Sequence, residues 1–265
     1  MNLVSEGIVL RQLHIAGGRR MILLFTKEYG KISCGTSLPE SGGKNKTTLA
    51  MRPFTLGKYQ LKRLNDTYYL NGAETLRSHF SLGEDVEKFL TASELLELTE
   101  AVVPENEPVP AVYDLLLEYL DFLEARGKGF RMVAAAYRVK LLYLTGAGPE
   151  LDACVACGAP GGTVFSTEKG GVLCDDCASD ADRKSHLLYG ARFDIIGMLR
   201  YLRTASPADL AKLDLAAGAC EALERLLRDY YAYHLDIRNV KSTSLLEEEV
   251  RKLSTERGNE NGNHT

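Results

Sequence analysis

The chain has 265 residues, of which 45% are hydrophobic and 26% are charged, and its formal net charge is −4. This composition excludes a fibrous or mainly disordered chain, and the length predicts two or three modules. No apolar run reaches the roughly 18 residues that a bilayer span requires, and the N-terminal segment lacks the basic and apolar regions of a secretory signal. We therefore expect a cytosolic protein.

Charge is distributed unevenly along the chain. Residues 1–80 hold 12 basic and 5 acidic side chains, residues 81–153 hold 6 and 14, and residues 154–265 hold 14 and 17. A basic module joined to acidic ones is typical of a polyanion-binding domain on a partner-binding body. An ordinary solvated surface would give the same counts, so charge alone leaves both interpretations open.

The first 80 residues are rich in β-forming runs. The predicted strands cover residues 7–11, 21–26, 30–35, 54–63 and 67–70. Five short strands favour a small closed or partly closed barrel, because closure removes exposed strand edges. The polar stretch 37–46 is predicted to be a mobile loop between the third and fourth strands.

After residue 73 the apolar spacing changes from about two to about 3.6 residues, which predicts helices. Helical segments are expected around 83–98, from Pro110 to Gly127, over 132–144 and from 192 to 239. The predicted organisation is a barrel domain (1–80), a helical body in two parts (81–150 and 191–246), a cysteine-containing insertion (151–190) and a polar tail (247–265). The tail is expected to be disordered at its end because it lacks apolar residues.

Four cysteines form the most specific motif, a C-x2-C-x16-C-x2-C pattern made by Cys154, Cys157, Cys174 and Cys177. Two residues between the cysteines of a pair allow both thiolates to face one metal, and two pairs supply the tetrahedral sulfur set that Zn²⁺ accepts. Redox-active pairs and unliganded thiols are the alternatives. Because four thiolates leave no open position for water, we expect one structural zinc ion.

The remaining metal-ligand residues carry weaker signals. Cys34 lies in a predicted strand and Cys220 in a predicted helix, and both are interpreted as packed small hydrophobic side chains. His186 follows the second cysteine pair and is a possible substitute ligand.

Alternation over residues 54–63 places Lys58, Gln60 and Lys62 on one face and Tyr59 and Leu61 on the other. Such a strand can follow a phosphate backbone while its other face closes the core. Further cations occur at predicted strand ends and loops: Arg11, Arg19, Arg20, Lys27, Lys31, Lys44 and Lys46.

Three aromatic residues are candidate platforms for base stacking. Phe25 and Phe54 are interpreted as core residues, whereas Tyr29, between Lys27 and Lys31, is the better stacking candidate. Binding by such a surface should be salt-sensitive and nearly independent of base sequence, because no base-reading helix is recognised.

No catalytic motif is found. The chain lacks a phosphate-binding loop, a dinucleotide-binding glycine pattern and a nucleophile elbow, and its histidines have no acid or nucleophile pattern around them. We predict that the protein is not an enzyme, although an active site built from scattered residues stays open as an alternative.

Several segments resemble the RecO family of bacterial recombination mediators. They are LFTKEYGKIS (24–33), RPFTL (52–56), GAGP (146–149), LDACVACG (151–158) and KSTSLL (241–246), in this order along the chain. The loop 14–20 departs from the family because it lacks the acidic residue common there. This departure concerns individual loop contacts and not the fold.

The resemblance implies an α+β multidomain protein with an N-terminal five-stranded OB-fold barrel and an α-helical body that carries an inserted four-cysteine zinc element. It implies a cytoplasmic, nucleoid-associated protein that binds single- and double-stranded DNA and anneals complementary strands. With RecR, such a protein helps to load RecA onto DNA coated with single-stranded DNA-binding protein (SSB). A zinc-stabilised adaptor whose barrel binds only protein, and a zinc-dependent nucleic-acid enzyme, are the alternatives.

One further hypothesis uses the resemblance. Members bind the acidic, phenylalanine-ended tail of SSB through the helical body. Five of the six cations in residues 81–153 lie close together in sequence: Arg126, Lys128, Arg131, Arg138 and Lys140. We predict that they receive this tail, whereas ordinary solvation of a helix is the alternative.

Overall fold

The computed structural model describes residues 1–15, 19–38, 46–189, 194–213, 215–238, 240–242 and 245. Two compact units are present: the first contains Met1–Ala125 and the second is Arg126–Ser244. The predicted domain limits after residues 80, 150, 190 and 246 are a different division and stay a prediction. The predicted polar tail and most of the predicted mobile loop lie outside the described residues.

The first unit begins with a closed five-stranded barrel. Its strands are β1 (Asn2–Ile15), β2 (Arg19–Thr26), β3 (Gly30–Thr36), β4 (Leu56–Leu64) and β5 (Thr67–Arg77). The order around the barrel is β1-β2-β3-β5-β4; β3 and β5 pair in parallel and all other neighbours are antiparallel. The predicted barrel is therefore confirmed, and closure leaves none of its five strands as an edge.

Inward-facing apolar side chains fill the barrel. Ile22, Leu24, Ile32 and Tyr59 are almost fully buried in this core. A helix that was not predicted, α1 (Lys46–Ala50), lies between β3 and β4. The Tyr59 hydroxyl of β4 donates a hydrogen bond to the carbonyl of Ala50, the last residue of α1, at 2.7 Å. This bond attaches the C-terminal end of α1 to β4.

Two helices complete the described part of the first unit. A 3₁₀ turn (Phe80–Glu84) leads into α2 (Val86–Val102), which is followed by α3 (Pro110–Ala125). The Asp85 side chain caps α2 by accepting a hydrogen bond from the backbone N–H of Lys88 at 2.8 Å. Helix α3 lies on the outer side of β2, where Phe25 meets the Tyr113 ring edge-on at 5.5 Å.

The second unit is mainly helical. Its elements are α4 (Phe130–Leu144), β6 (Val164–Ser166), β7 (Gly171–Leu173), α5 (Asp180–Leu188), α6 (Ile195–Thr204), α7 (Pro207–Leu210) and α8 (Ala217–Leu235). Helix α4 packs against α6 and α8, and eleven of its fifteen residues are buried. Within the described ranges, no helix has both the length and the apolar character needed to cross a bilayer.

Candidate metal centre and nucleic-acid interface

The four predicted ligand cysteines come together in the second unit. Their Sγ atoms all lie within 4.8 Å of one another. The first pair lies in a turn before β6 and the second pair follows β7, so the antiparallel β6–β7 hairpin joins the two knuckles. Gly158, which has φ of +75°, turns the chain back after the first pair and donates its N–H to the carbonyl of Cys154 at 2.8 Å.

Hydrogen bonds adjust the acidity of these thiols. Backbone N–H groups, first that of Cys174 and then that of Cys157, lower the pKa of the Cys154 thiol to about 6. The neighbouring sulfurs, first that of Cys174 and then that of Cys157, raise the pKa of Cys177 to about 12. A bound divalent cation would favour the thiolate form of all four cysteines. Four sulfur donors at this separation are a ligand set that fits Zn²⁺.

A hydrogen-bond network that the sequence analysis did not identify supports this element. Asp182, in the first turn of α5, accepts from Ser166 Oγ of β6 at 2.8 Å and from Lys169 Nζ at 2.9 Å. It also forms a reciprocal capping box with Ser179. The Lys169 ammonium is the largest influence that holds the pKa of Asp182 well below its usual range. The Ser-x-x-Asp pattern of a helix start was the available signal.

The other candidate ligands have different roles. His186 Nδ1 accepts a hydrogen bond from the backbone N–H of Phe165 at 3.1 Å, so this nitrogen is used to hold β6. Cys34 is fully buried in the barrel core, where burial raises its pKa to about 12. The interpretation of Cys34 as a packed apolar residue agrees with this position.

On the barrel, β4 alternates as predicted. Lys58, Gln60 and Lys62 are exposed, whereas Tyr59 and Leu61 are buried. The outer face of this strand therefore presents two lysines, about 13 Å apart along an extended chain, to solvent.

The strands beside β4 give its two lysines different surroundings. Lys58 lies opposite Glu6 of β1 and Glu74 of β5, so carboxylates flank it on both sides. Lys62 lies opposite Tyr69 of β5, whose side chain is 42% exposed. A cation next to an exposed aromatic ring can contact both the phosphate and the base of a nucleotide.

Tyr69 was missed by the sequence analysis. Its ring lies over Gly35 of β3, where an added Cβ would be 3.7 Å from the ring. The signal was the alternation in residues 67–70, which places Tyr68 and Leu70 inward and Tyr69 outward.

The structure corrects the position of Lys31. This residue is only 8% exposed, and its Nζ donates to the backbone carbonyl of Glu100 in α2 at 2.6 Å. Its backbone also pairs with the segment after α2, since the Asn106 N–H donates to the Lys31 carbonyl at 2.9 Å. Lys31 is therefore not an exposed nucleic-acid contact, because the acidic helical segment packs over this part of β3.

Two other predicted contacts face the same acidic helices. Arg11 forms an ion pair with Glu100 at 2.6 Å, and Lys27 forms one with Asp114 of α3 at 3.0 Å. Both cations are about half exposed, and part of their charge is balanced within the unit. A contact with phosphate would have to compete with these carboxylates.

Arg20 is also enclosed. It is 8% exposed, and its Nη1 has no hydrogen-bond partner among the described residues. The register explains this burial, because Arg20 and the core residue Ile22 are two apart on β2 and share its inner face. The side chains of Arg19 and Lys46, and the whole of Lys44, lie outside the described residues.

The aromatic candidates behave as core residues. Phe25 and Phe54 are buried, as interpreted from the sequence, and Phe54 meets the Phe89 ring edge-on at 5.6 Å. Tyr29 is partly buried and packs against the barrel core, so the structure does not present it as an open stacking platform. Tyr69 is the more exposed aromatic residue.

The five cations predicted to receive an acidic tail do not form one exposed patch. Arg131 makes a two-pronged ion pair with Glu224 of α8, and Arg138 is only 5% exposed. Lys140 Nζ reaches the Arg203 carbonyl at 3.5 Å. The fourth and fifth cations, Arg126 and Lys128, lie before α4, and only Lys128 is exposed. The reason is that α4 is an enclosed helix, so its basic side chains find partners inside the unit.

The first unit has a closed OB-type barrel, and the second unit is mainly helical and carries a cluster of four cysteines. These features define the class of barrel proteins with an inserted four-cysteine element. Residues 83–244 match the family described as Recombination protein O C terminal. The chain belongs to the RecO family.

Similar proteins cover nearly the whole chain. The DNA repair protein RecO of Alkaliphilus metalliredigens is 27% identical, over 92% of this chain and 98% of the relative. That of Pelotomaculum thermopropionicum is 30% identical, over 92% and 93%, and that of Rubrobacter xylanophilus is 30% identical, over 87% and 91%.

Proposed function

We propose that this protein is a recombination mediator in DNA repair. It binds single- and double-stranded DNA, anneals complementary strands and, with RecR, assists the loading of RecA onto SSB-coated DNA. It acts without catalysis, in the cytoplasm at the nucleoid. Membership of the RecO family and the name DNA repair protein RecO of its relatives support this proposal.

The observation that carries the DNA-binding part is the outer face of β4 and β5. Lys62 and Tyr69 are cross-strand neighbours there, and Lys58, which Glu6 and Glu74 flank, lies on the same face of β4. A lysine supplies charge for phosphate, and a tyrosine supplies a surface on which any base can stack. The face is therefore suited to DNA of any sequence.

The first experiment is the double variant Lys58→Glu/Lys62→Glu. We expect it to weaken binding to a labelled single-stranded oligonucleotide by about tenfold or more at low salt, because both phosphate contacts become repulsive. The control is Lys184→Glu/Lys212→Glu, which makes the same charge change at two exposed lysines of the second unit. Fluorescence anisotropy measures both. Unchanged affinity in the test variant would show that the DNA-binding site does not include these two lysines.

The adaptor alternative predicts a different result. If the unmodified protein does not bind oligonucleotides even in dilute buffer, the mediator proposal fails and the adaptor alternative, in which the barrel binds only protein, is favoured. Annealing of SSB-coated complementary strands, with the same two variants, then tests the mediator step itself. We expect the test variant to anneal more slowly than the control.

The cysteine cluster is proposed to hold one structural zinc ion through Cys154, Cys157, Cys174 and Cys177. When bound, the metal ties the two knuckles of the β6–β7 element and does no chemistry on DNA. Protein purified without chelator should contain about one zinc per chain, and Cys174→Ser should lose it. A zinc content far below one in the unmodified protein would contradict this proposal.

Binding of the SSB tail stays a proposal that is supported only by the cluster of cations in sequence. Lys128 is its exposed member, so Lys128→Glu is the variant of choice, with Lys212→Glu as its control. We expect weaker binding of an acidic tail peptide and unchanged binding of naked DNA. Equal peptide affinity in the two variants would remove Lys128 from the site.

A further inference from the structure

A second cluster of metal-ligand side chains lies in the first unit, apart from the cysteines and from the β4 face. It consists of His79, which follows β5, and Asp121 and Glu124 in the last turns of α3. One ligand atom from each residue lies within 4.8 Å of the others. A histidine with two carboxylates is a donor set suited to divalent transition metals.

The histidine is the unusual member. His79 has a left-handed backbone, with φ of +46°, and its side chain is 1% exposed. Its Nδ1 lies 2.9 Å from Glu124 Oε2, whereas its Nε2 is buried and has no hydrogen-bond partner within the described part of the chain. A buried ring nitrogen without a partner is costly, and it requires an explanation.

The surroundings determine which nitrogen carries the proton. Glu124 is held in place because Ser81 Oγ donates to its Oε1 at 2.5 Å. The Glu124 carboxylate accepts a hydrogen bond from Nδ1–H, so the lone pair of the neutral imidazole lies on Nε2. This is the carboxylate–histidine arrangement that orients histidine ligands in metal sites.

We propose that His79 Nε2 and Asp121 bind a divalent transition-metal ion, with Glu124 orienting the histidine. The Nε2 and Asp121 Oδ1 atoms are 3.7 Å apart. Two ligands at about 2.0–2.2 Å from a tetrahedral ion are about 3.4 Å apart, so a shift of a few tenths of an ångström completes the pair. The Asp121 side chain is 44% exposed, so water molecules can reach an ion bound to it and complete its coordination.

One contact competes with this ion. Arg77 Nη1 pairs with Asp121 Oδ1, and its positive charge opposes a cation at the same oxygen. The Arg77 side chain is 53% exposed and sits at the end of β5, so it can turn away when a metal binds. Arg77→Ala should therefore tighten metal binding.

The test uses the full chain with its cysteine cluster already loaded with zinc. Mn²⁺ is then titrated and its free ion is followed by electron paramagnetic resonance, because Mn²⁺ prefers nitrogen and oxygen donors and does not displace zinc from thiolates. Equilibrium dialysis against Zn²⁺ provides a second count. We expect one Mn²⁺ bound per chain, and two zinc ions after dialysis.

Four variants make the assignment specific. His79→Gln and Asp121→Asn should lose the second ion, and Glu124→Gln should bind it about 10–100-fold more weakly. Asp114→Asn is the matched control, since Asp114 is an exposed carboxylate of the same helix, and it should keep the second ion. If His79→Gln does not fold, Asp121→Asn decides, because Asp121 is exposed.

Two results would overturn the proposal. One is an unmodified protein that binds no Mn²⁺ at millimolar concentration and keeps a single zinc. The other is a second ion that is retained in Asp121→Asn. Either result leaves the DNA-binding proposal untouched, since none of its residues belongs to this cluster.

Discussion

At the scale of single residues, the glycine at position 30 allows the segment between α2 and α3 to pack closely against the barrel. Gly30, the first residue of β3, has φ of +69°. A Cβ at this position would overlap the backbone of Glu107, in the segment between α2 and α3. Gly30 therefore allows both the turn from β2 and the close approach of this segment, which in turn covers Lys31.

Gly30→Ala should destabilise the protein by about 1–3 kcal/mol, because alanine is strained at positive φ and its methyl group displaces Glu107. Gly83→Ala is the control, since Gly83 has no heavy atom within 4 Å of an added Cβ and no positive φ. The control should change the free energy of unfolding by less than about 0.5 kcal/mol. Urea denaturation of both variants measures the difference, and equal midpoints would contradict the steric argument.

At the level of elements, α4 shows that the basic side chains of a buried helix form contacts within the protein. Most of its residues are buried, and its Arg131 is held by Glu224 of α8, with side chains 23% and 19% exposed. The hydrogen bonds that Arg131 donates to Glu224 raise the pKa of Arg131. The Tyr231 hydroxyl of α8 also donates to the Arg138 carbonyl at 2.9 Å. Polar groups of α4 thus bind neighbouring helices of the unit.

Arg131→Met should cost about 1–3 kcal/mol of unfolding free energy, because it leaves the Glu224 carboxylate without its partner. The double variant Arg131→Met/Glu224→Leu should recover part of this loss, since no unpaired charge remains. Lys212→Met, at a side chain that is 79% exposed, provides a control near zero. Additive losses in the double variant would show that the two residues are not coupled.

For the whole molecule, the local charge of residues 1–80 overstates the charge available to a ligand. Acidic residues of α2 and α3 pair with Arg11, Lys27 and Arg77, and the α2 backbone accepts from Lys31. We therefore propose that a small cationic face of the first unit, and not the whole barrel, binds DNA. DNA binding by this face should depend only moderately on salt.

The salt dependence can be measured with Lys58→Ala/Lys62→Ala. For single-stranded DNA, each phosphate contact contributes about 0.7 to the slope of log K against log salt. Loss of two contacts should therefore reduce the slope by about 1.4. Anisotropy titrations over a series of NaCl concentrations give the slope. An unchanged slope would show that neither lysine contacts phosphate.

The sequence by itself determined the features that depend on local spacing. The four-cysteine cluster follows from two short knuckles, and the exposed row on β4 follows from strict alternation along one strand. The barrel was predictable because five β-rich runs end at turn residues, and closed barrels are the stable arrangement of so many short strands.

Only the tertiary structure decided which charged side chains remain available. The local sequence shows that Lys31 and Arg131 are basic but does not show what they contact. Lys31 contacts Glu100, which is 69 positions away, and Arg131 contacts Glu224, which is 93 positions away. The His79–Glu124 contact likewise joins residues 45 positions apart. Such pairings depend on how helices pack on strands and on one another, and hydrophobic burial governs that packing without regard to the charges that it brings together.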